Sequence, residues 1–256
     1  MKTQLLKSCF FLILFLFSSL LTAAEIPVIA AAASVKIALK EIAEAFYLDT
    51  GKTVRISYSS SGNLTRQILQ GGPFELFLSA NSRYVDQLYQ QQLTNDHGVV
   101  YALGRLVLLT NNNTTISLDE QLSGVKQALQ KNQLHHFAIA NPVHAPYGVA
   151  AREVLQRQGL WQQIQSHLVL GENAAQATQF ATSGAAQVSL TSFSLALAPT
   201  LQNTTRYRLI PATMHQPLKQ TAVLLKNAGN TSKLFFNYLQ QQQARQILTQ
   251  YGYTKP

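Results

Sequence analysis

Hydrophobic positions in this chain follow two alternating rhythms. Short apolar runs at Val28 to Ala33, Phe74 to Ser79, Gly104 to Thr110, Phe137 to Ala140, His167 to Leu170, Val188 to Thr191 and Thr221 to Leu225 read as strands. Val54, Ile56 and Tyr58 alternate with polar neighbours, as a half-buried strand does. Between the strands lie helical stripes. Val35, Leu39, Ile42 and Phe46 fall on one helix face, with Ser34 as an N-cap and Gly51 as a stop. Further helices are predicted from Leu64 to Gly71-Gly72-Pro73, from Val149 to near Gly159, from Ala174 to Gly184, and from about Ser232 to Thr249. Alternation of this kind predicts an α/β protein with mixed, mostly parallel sheets flanked by helices. No fixed-period repeat and no long Pro/Gly/Ser linker interrupts it.

The first residues break the pattern. Lys2 and Lys7 precede an apolar stretch from Cys9 to Phe17, and the small residues of Ser18 to Ala24 follow. This order predicts a secretory signal over residues 1–24, cut after Ala24, and hence an exported protein. The other reading is an uncleaved anchor helix, for which the apolar core is short. Cys9 is the only cysteine in the chain and lies at the start of the apolar stretch, whereas a lipid-bearing cysteine would follow it. Beyond the signal neither disulfides nor thiolate ligands are available.

Composition narrows the class further. An apolar content of 46% with only 12% charged residues excludes a disordered chain. The formal charge of +9 is unevenly placed: no acid follows Glu172, while Arg206, Arg208, Lys219, Lys226, Lys233, Arg245 and Lys255 do. A basic last third suits anions, an acidic membrane surface or a protein partner, and equally a solubilising surface. Without an aromatic–basic stripe, nucleic acid is not an expected partner.

Catalytic patterns are weak. Ser123 and Lys126 match the S-x-x-K of penicillin-recognising enzymes and Ser61-Gly62-Asn63 matches S-x-N, but the order is reversed and no K-T-G follows. A periplasmic serine hydrolase is the reading these matches allow. His135 and His136 are adjacent, and the remaining histidines form no H-x-x-x-H, so no side-chain metal site is expected. Asp119-Glu120 reads as a solvated pair at a polar helix start.

What recurs is a Ser-, Gly- or Asn-containing loop between a strand and a helix N-terminus: Ala33-Ser34-Val35, Ser59-Ser60-Ser61-Gly62, Ala145-Pro146-Tyr147-Gly148 and Glu172-Asn173-Ala174. A helix start offers N–H groups without intrahelical acceptors and a positive dipole end, so such loops can cradle an oxyanion. Each serine alone is equally a cap for its own helix. Convergence of the four is a matter that spacing does not reach.

Read together, AAAS (31–34), SSSGNLTRQI (59–68), GGPFELFLSA (71–80), YALGRLVLLT (101–110), ANPVHAPYGVAAREVL (140–155), GENAAQATQF (171–180) and the ending YGYTKP resemble the periplasmic molybdate-binding proteins of ABC transporters. The resemblance runs in order over nearly the whole chain after the signal. It implies a type II periplasmic binding protein, two-lobed, with lobe one over 25–105 plus 206–256 and lobe two over 106–205. It further implies no enzymatic activity and no cofactor, molybdate or tungstate as ligand, a membrane ABC permease as transient partner, and a monomer. By matching motif, Ser34 and Ser61 would bind through hydroxyl and main-chain donors, and Tyr147 and Ala174 through main-chain N–H alone. A fifth position, a tyrosine in the best-known members, falls on Ser192. Glu75 stands where the family usually has Asp, and is expected to be structural. Sulfate or phosphate is the alternative ligand within the same class.

Overall fold

The computed structural model describes residues 26–256, so the expected signal lies outside the described residues. Ten strands form two five-stranded sheets. The first contains β1 (Val28–Ala32), β2 (Arg55–Ser59), β3 (Leu76–Ser79), β4 (Val99–Gly104) and β10 (Leu218–Leu224), in the order β2-β1-β3-β10-β4. The second contains β5 (Leu106–Asn111), β6 (Phe137–Ala140), β7 (Leu168–Gly171), β8 (Val188–Ser192) and β9 (Thr205–Leu209), in the order β7-β6-β8-β5-β9. The two orders match when each sheet is counted from its first parallel strand, β1 or β6. In each sheet three parallel strands stand side by side, then a strand arriving from the other sheet, then the last strand before the chain leaves again.

Helices cover the sheets: α1 (Lys36–Thr50), α2 (Ser61–Leu69), α3 (Ser82–Gln90), α4 (Ser123–Gln130), α5 (Pro146–Arg157), α6 (Ala174–Ser183), α7 (Asn230–Tyr238) and α8 (Gln242–Gln250). β1 and β3 of the first sheet are buried at nearly every position because both faces are packed. Ile29, Ala31, Leu76 and Leu78 join Leu39, Ile42 and Phe46 of α1 and Phe235 of α7 on one side. Ala30 and Phe77 join Leu64 and Ile68 of α2 and Val85 and Leu88 of α3 on the other. In the second sheet Leu106, Leu108, Phe137, Ile139, Val188 and Leu190 pack with Ala151, Val154 and Leu155 of α5 and Val125 of α4. Gly51 (φ 66°) and Gly184 (φ 83°) end α1 and α6 in the left-handed region, which glycine enters without a Cβ clash.

The chain crosses between sheets twice, at Arg105 between β4 and β5 and over residues 210–217 between β9 and β10. The return was expected at residue 206, but Arg206 and Arg208 lie on β9, which pairs with β5 in the second sheet. The last predicted helix is two helices, broken at Leu239-Gln240-Gln241. In addition, α2 begins at Ser61, inside the stretch expected to be a loop.

Candidate functional site

Parallel strands place their carboxyl ends, and the helix N-termini that follow, along one edge of each sheet. Ala32 at the end of β1 is paired with Ser59 at the end of β2, so the loops carrying Ser34 and Ser61 leave from adjacent positions. Ala140 at the end of β6 is likewise level with Gly171 at the end of β7, which sets the loops before α5 and α6 side by side. The two edges face each other. Between them is a cavity with about 190 Å³ of space between atoms. It is lined by residues of both sheets' loops: Ala32 to Ser34, Ser59 to Ser61 and Ala80 from the first, Ala145 to Tyr147, Asn173 and Ala174 from the second.

Four of the five expected binding residues, Ser34, Ser61, Tyr147 and Ala174, therefore meet at one cavity. Each arrives with a donor to spare. Ser61 is fully buried, and its Oγ accepts from the N–H of Ala80 at 3.0 Å, so its own proton is available elsewhere. Ser34 Oγ is buried with no hydrogen-bond partner among the described residues. Tyr147 is the second residue of α5, where the N–H has no intrahelical acceptor, and the preceding Ala145 has no side chain that could cap it. Ala174 is the first residue of α6, and the Asn173 cap accepts instead from Gln176 N–H at 3.1 Å. The lining residues carry no formal charge.

Ser192 does not line this cavity. It ends β8, fully buried, and its hydroxyl neighbours that of Tyr147. The Tyr147 side chain runs into the junction between the sheets. There its hydroxyl is surrounded by those of Ser192, Tyr253 and Ser34, none at regular hydrogen-bond geometry. Burial pushes the Tyr147 phenol up to about 12, and these three hydroxyls oppose the shift. A Cβ at Gly104 would collide with the Tyr147 hydroxyl, so the last residue of β4 has to be glycine for the ring to fit.

Sequence reasoning missed several neighbours of the site. Ser60 caps α2 by accepting from Asn63 N–H at 3.3 Å, and also contacts His144. Tyr253, expected only to close the last helix, bonds to Ser34. Glu75 has a structural place: its carboxylate accepts from Gly229 N–H at 2.7 Å, at the start of α7.

A serine hydrolase at Ser123 finds no cleft. Ser123 and Lys126 are exposed on the first turn of α4, whose N–H groups at Ser123 and Gly124 are both capped by Asp119 at 2.9 Å. A larger groove between β4 and α8, bordered by Tyr101, Leu239, Arg245 and Lys255, lies away from the converging helix starts.

Comparison with known proteins agrees with this geometry. The profile of the family described as "Bacterial extracellular solute-binding protein" matches residues 27–254. The molybdate-binding protein ModA of Rhodobacter capsulatus is 36% identical over 217 residues, covering 84% of this chain and 82% of that protein. ModA of Azotobacter vinelandii is 34% identical over 239 residues, 90% of each. The chain belongs to the ModA family. The solved structure of the Azotobacter vinelandii periplasmic molybdate-binding protein superposes with a TM-score of 0.81 at 29% identity, covering 91% of this chain and all of the other. ModA proteins are substrate-binding transport proteins, so the two-lobed solute-binding fold carries a binding site here and not an active site.

Proposed function

We propose that this protein captures molybdate, or the nearly isosteric tungstate, between its lobes and delivers it to a membrane ABC permease. Ser34 and Ser61 would donate through hydroxyl and main-chain groups, and Tyr147 and Ala174 through main-chain N–H. The observation that carries the reading is the convergence of donors from four loops, two from each sheet, on a small cavity lined only by uncharged residues.

The physics fits a doubly negative anion. Burying a charge without a counterion is unfavourable unless its oxygens are hydrogen-bonded. Charge-assisted bonds contribute about 1.5–3 kcal/mol each, and aligned helix N-termini add to them. Neutral donors of fixed position favour a fully deprotonated tetrahedral anion of one radius. A smaller sulfate would leave some donors unsatisfied. Protonated phosphate would need an acceptor, and the cavity lining holds no carboxylate.

Lobe one would comprise the described chain up to Gly104 and from Leu218 onward, and lobe two residues 106–209, hinged at Arg105 and at residues 210–217. Export to the periplasm by a signal cut after Ala24, and a monomeric state, complete the proposal. Calorimetric titration with molybdate, tungstate, sulfate and phosphate tests it. Tight binding of the first two with weak binding of the others is expected; preference for sulfate or phosphate would overturn it.

A further inference from the structure

Across the mouth of the cavity the two lobes are joined by a compact polar network that none of the proposed anion donors belongs to. From the first lobe come Ser60, Gly62 and Asn63, at the start of α2. From the second come His144, before α5, and Glu172, before α6. Ser60 Oγ and His144 Nδ1 are 2.9 Å apart. Gly62 N–H donates to the His144 carbonyl at 2.9 Å. Asn63 Nδ2 donates to Glu172 Oε2 at 3.2 Å, and His144 Nε2 lies 3.7 Å from the same oxygen. Arg66, one turn further along α2, donates to Asn63 Oδ1 and so orients the amide.

The valences fit together. Ser60 Oγ accepts from Asn63 N–H and keeps a proton that it can donate to His144 Nδ1. With Ser60 as the donor, the imidazole proton sits on Nε2, facing Glu172. The close approach also depends on Gly62, since a Cβ there would lie 2.7 Å from the His144 carbonyl oxygen.

Each member of the network is a near neighbour in sequence of one proposed donor. Ser60 and Gly62 flank Ser61, His144 is three residues before Tyr147, and Glu172 is two before Ala174. We infer that Ser60, Asn63, His144 and Glu172 form an inter-lobe latch. It holds the closed cleft and sets the spacing between donors from opposite lobes, and thereby governs how long the anion is retained. These are positioning residues, acting through the loops they join. The inference rests on the oxyanion reading above but assigns residues outside the donor set.

The test measures association and release of radiolabelled molybdate by rapid filtration, on the full mature protein. Breaking the latch should act on release, because the open protein still presents its donors to the incoming anion. His144→Ala is expected to raise the release rate about tenfold with association within about twofold of wild type. His144→Asn, which keeps a polar atom near the Nδ1 position, should recover part of the loss. Glu172 is two-thirds exposed, so its variants should fold normally. Glu172→Gln retains an acceptor for Asn63 and should stay near wild type, whereas Glu172→Ala should release several-fold faster. A Ser60→Ala, His144→Ala double variant should be little worse than His144→Ala.

Release rates within twofold of wild type in both His144→Ala and Glu172→Ala would overturn the latch and leave the oxyanion reading standing. Failure of the wild-type protein to bind molybdate or tungstate would overturn that reading instead. The latch is then decided by hydrogen exchange at Gly62 in the ligand-free protein: slower exchange in wild type than in His144→Ala supports it, and equal exchange overturns it.

Discussion

The hydroxyl of Tyr253 donates a 2.9 Å hydrogen bond to the main-chain carbonyl of Ser34, linking positions 219 residues apart. Both residues are buried. The tail that carries Tyr253 is held in turn by paired main-chain bonds between Leu103 and Thr254, at 2.8 and 3.0 Å. The end of the chain thus supports the loop that carries Ser34. Tyr253→Phe leaves the Ser34 carbonyl buried without this donor, which costs about 1–3 kcal/mol. Denaturant unfolding should register the loss of stability, and calorimetry a weaker anion affinity; unchanged values for both would show that the bond supports nothing.

Ser61 and Ser34 present different tests of the donor set. Ser61→Ala removes both the proton that the proposed site assigns to the anion and the acceptor for Ala80 N–H, so affinity and stability should fall together. Ser34→Ala removes a hydroxyl with no protein partner, so affinity should fall with stability nearly unchanged. One lost charge-assisted bond, about 1.5–3 kcal/mol, corresponds to roughly 10- to 150-fold in dissociation constant.

Tyr147 separates main-chain from side-chain roles. Tyr147→Phe keeps the N–H and the ring and removes a hydroxyl that makes no regular hydrogen bond, so molybdate affinity should change by less than about threefold. Tyr147→Ala should destabilise by about 3–5 kcal/mol, the cost of deleting a buried ring. Gly104→Ala should weaken binding by forcing the ring to move. The sign of the pH effect also follows. Burial raises the Tyr147 phenol from 10 to about 12, so the folded state holds this proton more tightly than the unfolded chain. Its contribution is complete below pH 10 and is lost as pH climbs toward 12, and Tyr147→Phe should lose stability less steeply over that interval.

Asp119 gives the opposite sign at the acid end. Burial raises its carboxyl, but hydrogen bonds from the N–H groups of Ser123, Gly124 and Gln121 outweigh that and hold it below the usual range. The unfolded state therefore binds its proton more readily, and the stabilisation present above the unfolded value disappears as pH falls through the folded one. Asp119→Asn should be less stable than wild type at pH 7, with the gap closing on acidification; a gap that stays constant in denaturant titrations would rule out the charge as its source.

The basic last third can be tested kinetically. All seven of its Lys and Arg residues are exposed. If their field draws the anion in, the association rate should fall with rising salt while release stays constant. A salt-independent association rate would assign these charges to the surface alone.

Eight of the ten strands among the described residues, the α/β class and the glycine stops at Gly51 and Gly184 were legible in the sequence because local periodicity and backbone conformation determine them; β4 and α3 were not read. The four loops were legible as lying before helix starts for the same reason, but Ser34 does not cap its helix: Val35 holds that position and no side chain caps α1. The expected return crossing at residue 206 missed β9, because Thr205–Leu209 alternates like any exposed edge strand and nothing in it names its partner sheet. Ser192 was expected in the site by motif position; it is not among the residues lining the cavity, and its hydroxyl neighbours the phenol of Tyr147.

By itself the sequence determined which residues could offer uncharged donors at helix N-termini, since capping and main-chain hydrogen bonding act within a few residues. Only the tertiary structure decided which of those donors share a cavity, that Tyr253 braces Ser34, and that His144 and Glu172 meet Ser60 and Asn63 across the cleft. Those pairings span 84 to 219 positions and arise from how two sheets face one another. Such contacts depend on packing between elements, and no local pattern along the chain encodes them.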